Sequence, residues 1–398
     1  MSSRLYYDDS YLRQFDAAVV RVEARGDRQA VWLDQTSFYP TSGGQPADTG
    51  TLDGIRVAGV EDDEAGGVIH FVEAPVLLDP GRRVRGVIDW QRRFDHMQQH
   101  TGQHVLSAAF ERLFGVRTIG FHMGAEQATI DLAREMTTDE LAAAETEANG
   151  IVWEDRPVTV RYATSEEAEK LPLRKEPTRE GILRLIEVED FDLSACGGTH
   201  VSRTGAIGMV AIEGWERCKG GLRVEFVCGG RALSRFRRLR DRATEGGRLL
   251  SVLPEEVPLA VERLLGQGRE QRRLIADLQS ELTGFRAQAL VEAARPVSRG
   301  RLVLQAVDAD APGLKGLAAS VVSRPGLIIA LVSRSQPTLL VIARSSDVSL
   351  SAQDVVGTLT REFGGRGGGK SDLAQAGGLQ GSLDMILERA GQIVAAGQ

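Results

Sequence analysis

The sequence predicts an α+β core preceded by a small antiparallel β-barrel and followed by a coiled-coil helix linker and a C-terminal small α/β domain. Three observations carry this expectation. Up to Trp90 the chain alternates apolar and polar residues, broken by Gly, Asp and Pro. From Gln91 the apolar period becomes helical and then mixes with strand signals. Beyond Arg301, strand and helix patterns alternate. The expected domains are therefore residues 1–90, 91–245, 246–300 and 301–398.

Each element follows from its residues. FDAAVVRVEA, QAVWLDQ, TLDGIRVAGV, GVIHFVEA and RVRGVIDW read as half-buried barrel strands, with a turn-rich loop, FYPTSGGQPADTG, from Phe38 to Gly50. HMQQHTGQHVLSAAFERLF reads as a helix running to Gly115. QATIDL, VTVRYA, ILRLIEV, IGMVAIE and LRVEFV read as strands, and TTDELAAAETEANGIV as a helix. Ile275, Leu278, Leu282, Phe285 and Ala289 alternate three- and four-residue steps, the pattern of a coiled-coil seam that joins two chains or packs internally. RLVLQAV, GLIIALV and TLLVIA supply the last domain's strands, followed by a helix, a glycine loop and a final helix.

Composition bounds the function. A chain of 398 residues exceeds what one core covers. With 42% hydrophobic and 26% charged residues it reads as soluble and globular. No apolar run reaches membrane-spanning length, and MSSRLYYDD lacks the apolar stretch of an export signal. Three cysteines point to a reducing cytoplasm rather than a disulfide framework. A net charge of −7 does not suggest wholesale nucleic-acid binding but leaves room for a local basic patch.

His96, His100 and His104 stand at four-residue intervals in a chain with six histidines. Four helical residues turn about 400° and rise about 6 Å, so neighbouring pairs share a face. An HxxxH pair can hold one zinc ion, although the glutamate of HExxH helices is missing here. Alone, the pair is as compatible with ordinary helix packing. SACGGTHV adds Cys196 and His200 on a glycine turn. Zinc takes four ligands in a tetrahedron, and a helical pair plus a loop pair can build one. The plain reading of CGGTH is a turn around a buried thiol. Taken together, the two motifs single out His100, His104, Cys196 and His200, with one Zn2+ per chain.

HTGQH followed by CGGTH resembles the editing domain of alanyl-tRNA synthetases and of the freestanding AlaX proteins. SGGQ, Ser42 to Gln45, resembles the glycine-rich element upstream in both, and GGRGGGKSDLAQAGG resembles the glycine loop of the synthetases' terminal domain. The resemblance runs over nearly the whole chain, in the family's order, and the long form of AlaX is the match. It implies the same four zinc ligands and leaves His96 outside them, as a bystander rather than a residue orienting a ligand. It also implies a reaction: hydrolysis of the ester joining a wrong amino acid, serine or glycine, to mischarged alanine tRNA. A pocket made for alanine rejects glycine and serine weakly, so a second sieve is needed.

The resemblance further places a polar substrate-binding residue on the strand after the zinc helix. Thr118 is chosen, with His122 as runner-up, and Ser42, Gly43, Gly44 and Gln45 join the substrate site. The catalytic group beyond the metal is unassigned: Asp95 and Asp192 lie near the motifs but read as solvated surface.

GGRGGGKS, Gly364 to Ser371, formally matches the P-loop pattern. The segment before it, SAQDVVGTLTREF, has helical spacing where a P-loop needs a strand, so nucleotide binding is not expected. Its backbone N–H groups and Lys370 suit RNA phosphates instead. Arg235 and Arg238, among six arginines between Arg231 and Arg242, are the other expected tRNA contacts. Aromatic residues make up 5% of the chain, so stem recognition through phosphates is expected rather than a broad stacking platform. The partners implied are mischarged tRNA(Ala) and a second copy of the chain, joined through the coiled coil or terminal domain; no membrane is implied. No ATP-using aminoacylation domain is expected. The alternative reading is a non-enzymatic, zinc-stabilised tRNA-binding module. Editing of threonine tRNA is disfavoured by AQAGG, and DHH phosphoesterase chemistry by the lack of spaced aspartates.

Overall fold

The computed structural model describes residues 2–73, 78–174, 181–218 and 220–396. It divides into two compact units, Met1–Gly246 and Gly247–Gln398.

The first unit begins with the barrel. Strands β1 (Gln14–Arg25), β2 (Arg28–Leu33), β3 (Gly50–Leu52), β4 (Ile55–Asp62), β5 (Val68–Glu73) and β6 (Arg83–Ile88) close in the order β1-β2-β5-β4-β3-β6. Every pairing is antiparallel. Alternation fills the interior: Phe15, Val19, Val31, Leu52, Val57 and Val84 are buried together. TLDGIRVAGV, read as one strand, is two. Leu52 pairs with Ile55 around Asp53-Gly54, whose φ angles of 49° and 81° make the primed turn that suits strand twist. Ala74, the last residue of GVIHFVEA, lies outside the described residues.

Helix α1 (Trp90–Phe114) follows directly, capped by the Asp89 side chain at one end and by left-handed Gly115 at the other. Around it lie β7 (Thr118–Met123), β8 (Ala128–Leu132), α2 (Thr138–Trp153), β9 (Val158–Thr164), β10 (Ile182–Val188), β11 (Asp192–Ala195), β12 (Val210–Cys218), β13 (Gly221–Cys228) and α3 (Gly229–Leu250). One antiparallel sheet runs β12-β13-β8-β7 and a second β9-β10-β11. The core of this region packs Val105, Leu106 and Phe110 of α1 against Ile130, Leu141 and Phe226. Between His96 and Phe110 every residue except Gln98 is buried. So polar a helix stays buried only if its side chains find partners, and most of them do so at the site below, His96 excepted. The buried Arg93 donates to Asp48 at 3.0 and 3.1 Å, clamping the Phe38–Gly50 loop onto α1.

In the second unit, α4 (Val257–Glu292) is one helix of 36 residues. The expected coiled-coil seam does not pack internally within the chain: Ile275, Leu278, Leu282 and Phe285 are 48–65% exposed. A six-stranded sheet follows, built from β14 (Arg295–Val297), β15 (Gly300–Val307), β16 (Leu327–Ser333), β17 (Leu339–Arg344), β18 (Arg366–Gly369) and β19 (Leu373–Gly377), in the order β14-β15-β16-β17-β19-β18. Helices α5 (Ala311–Val322), α6 (Ala352–Phe363) and α7 (Leu383–Ala396) cover it, and β16 is buried along its whole length. Only β15 and β16 pair in parallel, through α5. The segment expected as a glycine loop is instead the hairpin β18–β19, with Lys370 exposed at its turn. A helix precedes it and a strand follows, the reverse of what a P-loop requires.

Candidate metal centre

Both residues of each pair in HTGQH and CGGTH meet those of the other motif through the fold. His100 and His104 lie one turn apart on α1, and the loop leaving β11 brings Cys196 and His200 against them. One ligand atom from each of the four lies within 4.8 Å of the other three, the arrangement needed to hold one metal ion. The Cys196 sulfur is 3.4 Å from Nε2 of His100 and 3.4 Å from Nε2 of His200. The imidazole rings crowd to centroid separations of 4.6–5.4 Å.

Each histidine is held by its other nitrogen. Nδ1 of His100 is 2.8 Å from Gln45 Oε1, Nδ1 of His104 is 3.0 Å from Asp192 Oδ2, and Nδ1 of His200 is 3.2 Å from the Thr101 hydroxyl. An amide oxygen and a carboxylate only accept, so His100 and His104 carry their protons on Nδ1 and turn bare Nε2 atoms to the centre. Burial opposes ionisation of Cys196, but His100 and His200 outweigh it and bring the thiol well below its ordinary range. Burial drives His200 down to about 3, so it stays neutral. His104 is raised: burial opposes, and the Asp192 hydrogen bond prevails. A thiolate and three imidazoles in this setting fit a metal.

The second glycine of CGGTH has a packing cause. A Cβ on Gly198 would sit 2.1 Å from Cε1 of His100, so the loop passes too close for any other residue. In α1, a Cβ on Gly102 would meet the Cys228 sulfur at 2.3 Å, which lets the helix settle on β13.

Other expected residues fall in different places. Gln45 is buried, and its amide is spent inside the protein: Nε2 donates to Thr199 Oγ1 at 2.8 Å while Oε1 accepts from Thr199 N–H and from His100. It orients a ligand rather than offering a free group. Ser42, Gly43 and Gly44 form the tight turn before it, with Ser42 N–H on Gln45 O, and Gly44 O accepts from Met123 N–H of β7. The Thr118 hydroxyl donates to Ser107 on α1 at 2.7 Å, and Ser107 accepts from Gln103 at 2.8 Å. His122 is exposed and pairs with Thr129, on the strand face opposite Phe121, whose ring lies 5.4 Å from His100. His96 stays outside the cluster, is 3% exposed, and its Nδ1 has no hydrogen-bond partner.

Asp192, read as solvated surface, is buried between His104 and Arg174, whose Nε donates to it at 2.6 Å. Burial raises its pKa, yet His104 and Arg174 hold it at about 2. No local pattern announces this role, because His104 is 88 residues away. Asp95 is tied to Arg231 at 2.7 Å. Of the expected RNA contacts, Arg235 lies 2.8 Å from Glu213 and is partly spent there, while Arg238 and Lys370 are exposed.

Comparison with known proteins gives these residues a context. Residues 6–92 match the family model for class II (A) tRNA synthetases, 183–225 that of the threonyl and alanyl tRNA synthetase second additional domain, and 300–396 the DHHA1 domain. The second segment contains Cys196 and His200. The alanyl-tRNA editing protein AlaX-L of Pyrococcus horikoshii is 32% identical over 391 residues, covering 94% of both chains. The chain belongs to the AlaX-L family. Alanine–tRNA ligases of Pyrococcus abyssi and Thermococcus kodakarensis are 36% and 34% identical over 93% of this chain. The chain spans 41% of the length of each of these ligases, so the family likeness covers one portion of them. No helix among the described residues is long and apolar enough to cross a membrane.

Proposed function

We propose that this protein is a cytoplasmic aminoacyl-tRNA deacylase that hydrolyses Ser-tRNA(Ala), and also Gly-tRNA(Ala), using one zinc ion. The observation that carries the reading is the four-residue cluster with each imidazole pinned at Nδ1, in a member of the AlaX-L family. Three nitrogens and one thiolate suit zinc better than the hard, oxygen-seeking cations. When bound there, zinc supplies a Lewis acid that draws electrons from an ester carbonyl or anchors the terminal ribose.

The chain's own residues do the rest. Gln45, Asp192 and Thr101 hold the Nδ1 side of His100, His104 and His200, so the ligand array is rigid before substrate arrives. Water adds to the ester carbonyl, the tRNA 3′ oxygen leaves and takes a proton, and free serine and uncharged tRNA result. Thr118 is the residue we assign to the serine hydroxyl. Its own hydroxyl proton is directed to Ser107, which leaves an oxygen lone pair to accept from serine. Alanine makes no such bond and leaves that acceptor unpaired; glycine makes none either, so it is the poorer of the two proposed substrates. Arg238 and Lys370, both exposed, are assigned to the tRNA backbone, with Arg235 a weaker contributor because Glu213 occupies it.

A second reading rests on one observation: four protein donors already fill a zinc tetrahedron, as structural sites do. In that case the protein binds tRNA without hydrolysing it. Incubation with serine-, glycine- and alanine-charged tRNA(Ala) separates the two. Metal-dependent release of serine, with alanine spared and with activity lost in Cys196→Ala, is the expected result. Tight tRNA binding with no release of any amino acid would establish the structural reading instead.

A further inference from the structure

A second concave site lies on α1 away from the metal. Trp90, Gln91, Phe94, Asp95 and Gln98 of the helix form its floor, with Ala125 and Glu126 of the β7–β8 turn on one side and Gly230, Arg231, Ser234 and Arg238 of α3 on the other. Its volume is 750 Å³, within the range of small-ligand sites. Phe94 is six residues from His100, so it stands about 9 Å along the helix axis and about 120° round it. The groove and the metal centre are thus separate faces of one buried helix.

The chemistry of the groove is cationic and aromatic together. Phe94 is backed by Trp90, with ring centroids 5.7 Å apart and planes tilted by 32°. Arg13 covers a face of Trp90 at 4.0 Å, and Trp90 and Phe94 both line the cavity. The charges of Asp95 on the floor and Arg231 on the wall cancel, because Arg231 grips Asp95 with three contacts between 2.7 and 3.1 Å. Gln98 is spent on Ala206 O and Gly230 N–H. Arg238 is the cation left over: it is exposed and has no acidic partner among the described residues. Arg242, one turn further along α3, is also exposed and has no ion pair among the described residues. Glu126, the acid on the rim among the described lining residues, faces Arg235 at 3.7 Å. In a chain of net charge −7, a cavity with a stacking ring and an uncompensated arginine row is complementary to a polyanion carrying flat bases.

We propose that this groove binds one nucleotide of the RNA substrate, with its base against Phe94 and its phosphate on Arg238, and the following phosphate toward Arg242. The proposal deepens the tRNA reading above and rests on it for the identity of the RNA. A single stacked nucleotide also agrees with the low aromatic content, which rules out a broad platform but not one local pair. The groove would hold the strand at a fixed distance from the metal centre, so it contributes to binding and not to the hydrolytic step.

The test measures binding of uncharged tRNA(Ala) transcript to the full chain over a range of salt. Arg238→Glu is expected to weaken binding about tenfold or more and to flatten its salt dependence by roughly one phosphate contact. Arg240→Glu makes the same charge change on the opposite side of α3 and is expected to alter the Kd less than about twofold. Phe94→Leu keeps the apolar bulk and removes the ring; binding should weaken by about fivefold or more with the salt slope unchanged. Quenching of tryptophan fluorescence on RNA addition should vanish in Trp90→Phe. Equal binding by Arg238→Glu and Arg240→Glu, or no effect of Phe94→Leu in a folded protein, overturns the groove assignment. RNA binding that depends on Phe94 and Arg238 without any deacylation would leave the groove standing and remove the editing reading.

Discussion

Asp192 shows how a single buried carboxylate decides what a histidine can do. It accepts from Nδ1 of His104, is neutralised by Arg174, and also receives the Ser194 hydroxyl. Without it, His104 is free to turn and to exchange its proton between nitrogens. Asp192→Asn keeps the size and removes the charge, and such changes beside a ligand weaken metal binding by about 10–100-fold. Competition against a chromophoric chelator measures that directly; unchanged affinity would show that packing alone holds the ring. Gln45 plays the matching part for His100. It stands 55 residues from its partner, so its neighbours in sequence describe only a glycine turn. The motif pairs themselves were legible, because ligand chemistry leaves the same residues at the same spacing wherever it occurs. Their supporting residues were not, since a carboxylate or amide that orients a ring has no spacing rule relative to it.

At the scale of elements, the barrel carries a titratable group in its wall. His70 on β5 is buried, with Nε2 at 2.8 Å from the Thr36 hydroxyl and Nδ1 at 3.0 Å from Val31 O. Burial depresses its pKa to about 4, so the neutral ring is what the folded barrel accepts. The unfolded chain protonates this group near pH 6.5 and the native chain does not. Stability therefore falls as pH drops from about 6.5 toward about 4, by about 3 kcal/mol in all, and falls no further from this source below that. Urea titrations at pH 7 and pH 4.5 should show a smaller loss in His70→Gln than in wild type. An equal loss would assign the acid sensitivity to other groups. Strand and helix identities were readable because alternation and helical spacing report which face is buried. The β3–β4 break and the β18–β19 hairpin were harder. The first hides in a two-residue turn, and the second pairs glycines, which carry no side-chain period at all.

Across the whole molecule, a metal that joins α1 to the loop after β11 couples distant parts of the first unit and none of the second. Removing the metal should lower the stability of residues 1–246 and leave 247–398 unchanged. The contribution is about 4 kcal/mol when free metal stands a thousandfold above its Kd. Calorimetry of chelated and reloaded protein checks this, with one transition moving and the other fixed. Movement of both would mean that the two units unfold together.

The sequence by itself determined the four residues that the fold brings together, most of the order of strands and helices, and the family, because each is written in residue types at short separations. It did not determine that α1 is buried on nearly every side, that the Phe38–Gly50 loop is clamped to it by Arg93 and Asp48, or that Asp192 belongs to the site and His122 to the outer surface. Those depend on which strand faces meet which helix faces. A register bulge next to Asp131 in β8 is enough to set Thr118 on the same side as Phe121 while His122 turns outward. Such choices come from packing between segments tens of residues apart, where a one-residue shift reverses the face a side chain occupies.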